Sequence, residues 1–186
     1  MGSGTKLMNN VTVFGPTVIG RNNRFYPYSV IGGDPQDLSY KGGETKLTIG
    51  DNNVIREFVT LNRGTEKDTG ETIIGNGNFI MACCHVAHDC IIENNVIMAN
   101  NTILGGHIKI ESDAAVSGQV AIHHFVTVGR MSYIGGGSGV AQDVPPYMIV
   151  QGVHARVKCV NTVGLRRKGL SPETISALQQ AHKIIW

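Results

Sequence analysis

Aliphatic residues recur every six positions along most of this chain. Stepping by six from Ile74 gives Ile80, Val86, Ile92, Met98, Leu104, Ile110, Val116, Ile122, Val128, Ile134 and Val140, twelve positions without a polar residue. An earlier series runs Leu7, Val13, Ile19, Phe25 and Ile31, and a third runs Ile49, Ile55 and Leu61. Glycine often follows the aliphatic, as at Gly20, Gly50, Gly75, Gly105 and Gly135, and the fifth position is often small or aliphatic, as at Val59, Thr102, Ala114 and Val120. An amphipathic α-helix needs spacings of three and four, and a two-faced strand alternates without turns. A period of six predicts a short strand and a tight corner, repeated. Three such units close a triangular coil, and successive coils stack at strand spacing, roughly 4.8 Å. The fold class is therefore an all-β solenoid, a parallel β-helix with one interior column of aliphatic side chains. The period does not determine the hand of the coil.

Two segments interrupt the pattern. Residues 33–47 break it but keep its frame, whereas residues 62–73 shift it by one. Both are predicted to be loops extruded from the coils, where functional residues tend to lie. The repeat ends at Val144-Pro145-Pro146, because proline cannot donate to a strand ladder. Ser171-Pro172-Glu173 then predicts a helix start, with a Ser cap and Pro in the first turn. Ile175, Leu178, Ile184 and Ile185 fall roughly on one face of that helix. The expected organisation is a β-helix over residues 1–150 and the start of a helical region over 151–186.

Composition agrees with tight turns around an aliphatic core: 41% hydrophobic residues, 24 glycines and only 6% aromatics. No apolar run approaches the ~18 residues of a membrane span, so no stable membrane insertion is expected. The N-terminus leads straight into patterned sequence, so no signal peptide is expected. Cys83, Cys84, Cys90 and Cys159 form no CxxC pair and are expected to be free thiols in a reducing cytoplasm. Residues 154–186 carry six Lys/Arg and one Glu, against ten Lys/Arg and thirteen Asp/Glu before them. A basic tail of this kind suits an acidic protein partner, and nothing points to nucleic acid.

Five of the seven histidines fall between 85 and 124: His85, His88, His107, His123 and His124. None occupies an inward aliphatic position. Residues one coil apart share an edge, so His88, Gly106 and His124 form one column and Asp89, His107 and Phe125 the next. Histidine takes a proton near neutral pH and suits general-base work on a hydroxyl. Asp89 is placed to orient the ring of His88, although side chains adjacent on a strand point apart. The Gly106 N–H, one coil from His88, is placed to meet a developing oxyanion, since glycine allows close approach. That is the minimal equipment for acyl transfer. No Ser or Cys nucleophile elbow is present, so direct transfer is expected, without cofactor or metal.

The motifs resemble those of the UDP-N-acetylglucosamine acyltransferases of lipid A biosynthesis. Among the matching stretches are Gln36-Asp37-Leu38, Arg63-Gly64-Thr65, His85-Val86-Ala87-His88-Asp89-Cys90, Gly105-Gly106-His107 and Gly139-Val140-Ala141-Gln142-Asp143-Val144-Pro145-Pro146. The resemblance covers nearly the whole chain. It implies a left-handed coil, a homotrimer with clefts between subunits, and transfer of a 3-hydroxyacyl chain from acyl carrier protein to the sugar 3-hydroxyl. By the same resemblance His88 is the general base, with Asp89 beside it, and the Gly106 amide the oxyanion donor. His85, His107, His123 and His124 would line the cleft, with Gln36 and Asp37 near the sugar nucleotide. His154, Asn161 and Arg167 would lie toward the nucleotide or the carrier protein, and Gly136 would be the acyl-chain ruler. The chain departs from the family pattern at Ser39 and Lys168, where lysine and arginine are expected, at His124 for glutamine and at Val163 for glutamate. Against the family's length, about two N-terminal coils and most of a C-terminal helical domain are missing. Three alternatives stay open: a related sugar-nucleotide acyltransferase using a donor such as acetyl-CoA, a zinc enzyme, which would need three histidines in one geometry, and a catalytically inactive chain that only trimerises.

Overall fold

The computed structural model describes residues 1–185. Two- to five-residue strands stack into three sheets, the faces of a triangular prism. On the first face, Phe79–Ile80, Ile97–Met98, Ala115–Val116 and Tyr133–Ile134 pair in parallel, each 18 residues from the last. The second face continues through His85–Val86, Ile103–Leu104, Ala121–Ile122 and Gly139–Val140. The third runs through Ile91–Ile92, Lys109–Ile110 and Thr127–Val128. Two earlier coils are longer. Arg24 pairs with Val54, thirty residues on, and Val54 pairs with Phe79, twenty-five on. The first insertion therefore adds two whole units and keeps the frame, and the second adds seven residues and shifts it. Strands claim the ends of both insertions, leaving residues 34–45 and 63–70 between strands.

All twelve positions from Ile74 to Val140 are at most 3% exposed. Burying an aliphatic side chain of this size contributes ~1.5–3 kcal/mol, so the single column supplies most of the cohesion. Leu7 and Val13 keep the period but are 40% exposed, because the first coil is covered on one side only. The corners add a second device. Asn23, Asn53 and Asn78 are buried one above another, and each side-chain carbonyl accepts a backbone N–H of the next coil at 2.8 Å. The corners also place non-glycine residues in the left-handed region, Asn52, Asn95 and Asp113 among them, which suits Asn and Asp best.

After Val144 the chain adds Met148–Gln151 to the first face, and Arg156–Val160 returns antiparallel along it. Helix α1 (Thr162–Arg167) is capped by Asn161, whose side chain accepts the Gly164 N–H. Helix α2 (Pro172–Ile185) opens as expected, with Ser171 Oγ accepting the Thr174 N–H at 3.2 Å. A small second core of Met148, Val160, Leu165 and Ile175 fastens both helices to the coils. The apolar face expected of α2 is only half used. Ile175 is buried and Leu178 packs beside it, but Ile184 and Ile185 are 86% and 66% exposed, because that core ends at Leu178. No helix among the described residues is long and apolar enough to cross a membrane.

Candidate active site

His88 sits at the corner between the second and third faces, in the column with Gly106 and His124 that the spacing predicts. The corner changes what two adjacent side chains can do. Asp89 has φ +59°, so the chain turns there, and His88 Nδ1 lies 2.8 Å from Asp89 Oδ2. The strand argument that their side chains diverge does not apply. Asp89 is itself fixed: it accepts the Thr65 N–H at 2.9 Å and the Thr65 hydroxyl at 2.7 Å, and its own N–H donates to Thr72 Oγ1. With Nδ1 directed at a carboxylate, His88 presents Nε2 as an acceptor.

His88 lies outside the aliphatic column, as its place in the period requires, yet it is only 6% exposed. Gly106 and His107 of the next coil pack against its ring, and Thr65, from the second insertion, anchors its partner Asp89.

Around this pair the histidines divide. The His107 ring meets His88 edge-on at 5.2 Å, stacks on Phe125 at 4.5 Å, and directs Nδ1 to Asp68 at 2.8 Å. His85 Nδ1 lies 2.7 Å from Thr60 Oγ1. Burial, and then the charge of His88, lower the pKa of His85 below the usual histidine value. His88, Asp89 and His107 bring ligand atoms within 4.8 Å of one another, but the Asp89 carboxylate is already engaged by Thr65 and His88. Gly106 is required by its neighbours: a Cβ there would stand 2.4 Å from His88 Cε1. The Gly106 N–H donates to His124 Nδ1 at 2.9 Å. Burial pushes the Cys84 and Cys90 thiols up to about 11 and about 12, so neither is a thiolate nucleophile at neutral pH.

The two insertions build the opposite wall. Arg63, buried beneath them, donates to the carbonyls of Gly15 and Gly32, to Asp34 and to Tyr40. Asp37 accepts the Ser39 N–H and hydroxyl at 2.8 and 2.7 Å, and Lys67 approaches at 3.5 Å. These contacts hold the Asp37 carboxyl down to about 2. Gln36, Asp37, Leu38, Lys67 and Asp68 face His88, His107, His124 and Phe125 across an open cleft of about 600 Å³.

Residues 143–186 match the family model described as UDP N-acetylglucosamine O-acyltransferase, domain 2, and residues 71–106 match the bacterial transferase hexapeptide model of six repeats. An acyl-[acyl-carrier-protein]–UDP-N-acetylglucosamine O-acyltransferase from Synechocystis is 50% identical over 176 residues, 95% of this chain and 63% of that protein. The solved UDP-N-acetylglucosamine acyltransferase of Bacteroides fragilis superposes with a TM-score of 0.98 at 42% identity, over 100% of this chain and 72% of that one. Its counterpart from Francisella novicida gives 0.98 at 39% identity, covering 68% of that chain. The chain belongs to the UDP-N-acetylglucosamine O-acyltransferase family. Its coil is left-handed, since superposition at this level preserves the hand. It spans about 63% of the length of the Synechocystis relative.

Other residues that the family pattern singles out lie elsewhere on the prism. Asn161 and Arg167 line a separate groove of about 360 Å³ on the first face, with Asp113, Tyr133, Val163 and Lys168. There Lys168 pairs with Asp113. His154 is exposed in the turn between the last two strands, and His123 is exposed beside His124, ring centroids 5.4 Å apart. Gly136 is exposed at the corner between the first and second faces, where a Cβ would come 3.4 Å from the Gly118 carbonyl oxygen. The sequence reading assigned no role to Lys67, Asp68, Thr65 or Phe125. The column arithmetic did place Phe125 beside His107, but the loop residues follow no period that could have located them.

Proposed function

We propose that this chain transfers a 3-hydroxyacyl group from acyl carrier protein to the 3-hydroxyl of UDP-N-acetylglucosamine. The observation that carries the reading is the His88–Asp89 pair beside the Gly106 amide, at the floor of a cleft in a chain of this family. His88 Nε2 takes the proton of the sugar hydroxyl as its oxygen attacks the thioester carbon. The carbonyl electrons move onto oxygen, where the Gly106 N–H holds them. Collapse breaks the carbon–sulfur bond, and the leaving thiolate recovers the proton from His88. An ester and a free carrier thiol result, with no acyl-enzyme and no cofactor. Asp89 fixes the tautomer of His88.

Gln36 and Asp37 bind the sugar nucleotide from the loop wall, and His85, His107 and His123 line the cleft. Asn161, Arg167 and His154 serve the nucleotide or the carrier protein. Asn161 and Arg167 lie on a different face from His88, so one prism does not bring them and His88 to one substrate. A homotrimer supplies the missing wall, and the exposed apolar residues Ile97, Ile103 and Phe125 on these faces and corners favour such packing. Sedimentation is expected to give a trimer, and monomer alone at micromolar concentration contradicts it. Gly136, without a side chain, leaves room for the end of the acyl chain and sets its length. Four free cysteines fit a reducing cytoplasm.

The test is transfer to UDP-N-acetylglucosamine from 3-hydroxyacyl carrier proteins of several lengths, with acetyl-CoA in parallel. Acylated sugar nucleotide from one preferred carrier protein supports the reading. Turnover with acetyl-CoA alone would assign the fold to a different donor.

A further inference from the structure

The Gly105–Gly106 pair carries an imidazole on each side. A Cβ at Gly106 would collide with the His88 ring, and one at Gly105 would stand 3.3 Å from Cγ and Nδ1 of His124. The His124 ring does more than pack there, because its Nδ1 accepts the Gly106 N–H at 2.9 Å. A ring nitrogen that accepts keeps its lone pair toward the amide, so the ring proton is on Nε2.

The reaction needs the same N–H for another acceptor. An oxyanion donor works when it aims, at about 2.7–3.1 Å, at the point the oxygen will occupy. His124 Nδ1 stands at that distance from the only hydrogen the amide has. We propose that His124 is a plug for the oxyanion position: without substrate its Nδ1 stands where the thioester carbonyl oxygen must go, and the ring swings out when the acyl donor enters. This rests on the Gly106 amide being the oxyanion donor. The ring has space to leave. It is exposed, it borders the open cleft, and it meets His123 edge-on at 5.4 Å and Phe125 at a tilt, centroids 6.5 Å apart.

Two consequences separate a plug from a binding residue. A binding site open for only part of the time loses apparent affinity by that fraction, and here the loss falls on the acyl donor and not on the sugar nucleotide. Removing the plug should therefore help the reaction, whereas removing a substrate contact or a packing residue should harm it.

The experiment is His124→Ala, read in two ways. In acyl transfer, kcat/KM for the 3-hydroxyacyl carrier protein is expected to rise about 2- to 10-fold, the net worth of one neutral hydrogen bond, with KM for UDP-N-acetylglucosamine unchanged. In hydrogen exchange without substrate, the Gly106 amide is expected to exchange faster by a similar factor. Unchanged exchange, or a kcat/KM for the acyl donor that stays level or falls, overturns the plug. If the wild-type chain transfers no acyl group from any donor, the proposed function fails instead, and exchange at Gly106 still decides whether His124 holds that amide.

Discussion

His88 and Asp89 are consecutive residues whose side chains meet, Nδ1 to Oδ2 at 2.8 Å, because the corner turns through a left-handed residue at Asp89. Neither a strand nor a helix brings adjacent side chains together in this way. The pair predicts a specific failure. In Asp89→Asn the amide can still accept from Thr65, but nothing holds His88 with its proton on Nδ1. Activity should fall about 10²- to 10⁴-fold, with far-UV circular dichroism unchanged. A variant that keeps a third of the wild-type rate would remove Asp89 from the mechanism.

Arg63 should matter for the loop wall more than for the chemistry. It is 8% exposed and holds the Gly15 and Gly32 carbonyls and the side chains of Asp34 and Tyr40. Arg63→Met leaves the buried Gly32 carbonyl unpaired, at about 1–3 kcal/mol. The expected result is a lower thermal midpoint and a raised KM for the sugar nucleotide, since Gln36 and Asp37 ride on that loop. An unchanged KM would mean that the loop is held by other contacts.

His85 gives the fold an acid sensitivity. Its pKa is lowered in the folded chain, chiefly by burial and then by His88. As pH falls through the usual histidine value of about 6.5, the unfolded chain binds a proton that the folded chain resists, so folded stability declines toward acid. In His85→Gln, which has no proton to bind, the decline in thermal midpoint between neutral pH and mild acid should be shallower. An identical slope would assign the acid sensitivity to other groups.

Much of the fold is legible from one periodicity. The six-residue step fixes the inward column, the 18-residue coil and the column of His88, Gly106 and His124, because stacking turns sequence separation into position. The hand is not legible, since the period is the same for either. Nor is the Asn23–Asn53–Asn78 ladder, whose members are separated by insertions and hidden from any hydrophobic pattern. The loop wall lies furthest from reach. Lys67, Asp68 and Thr65 are placed by the course of an extruded segment, which local spacing does not determine. The burial of His88 is equally hidden, because the period says which way a side chain points and not what packs over it.

The basic tail is expected to dock the acidic carrier protein. Lys168 pairs with Asp113 and Arg156 donates to Gln142, which leaves Arg166, exposed at the end of α1, as the cleaner probe. Arg166→Glu should raise KM for acyl carrier protein at low salt and leave KM for the sugar nucleotide alone. The difference should shrink as salt screens the charges. No effect at low salt would place the partner elsewhere.

In the proposed mechanism His88 removes the proton from the sugar hydroxyl. The direct measurement is single-turnover transfer by His88→Ala, from a preferred 3-hydroxyacyl carrier protein to UDP-N-acetylglucosamine, against wild type at matched oligomeric state. The expected rate is lower by about 10²- to 10⁴-fold, with both substrates still bound. A His88→Ala chain that keeps more than about a tenth of the wild-type rate would contradict it.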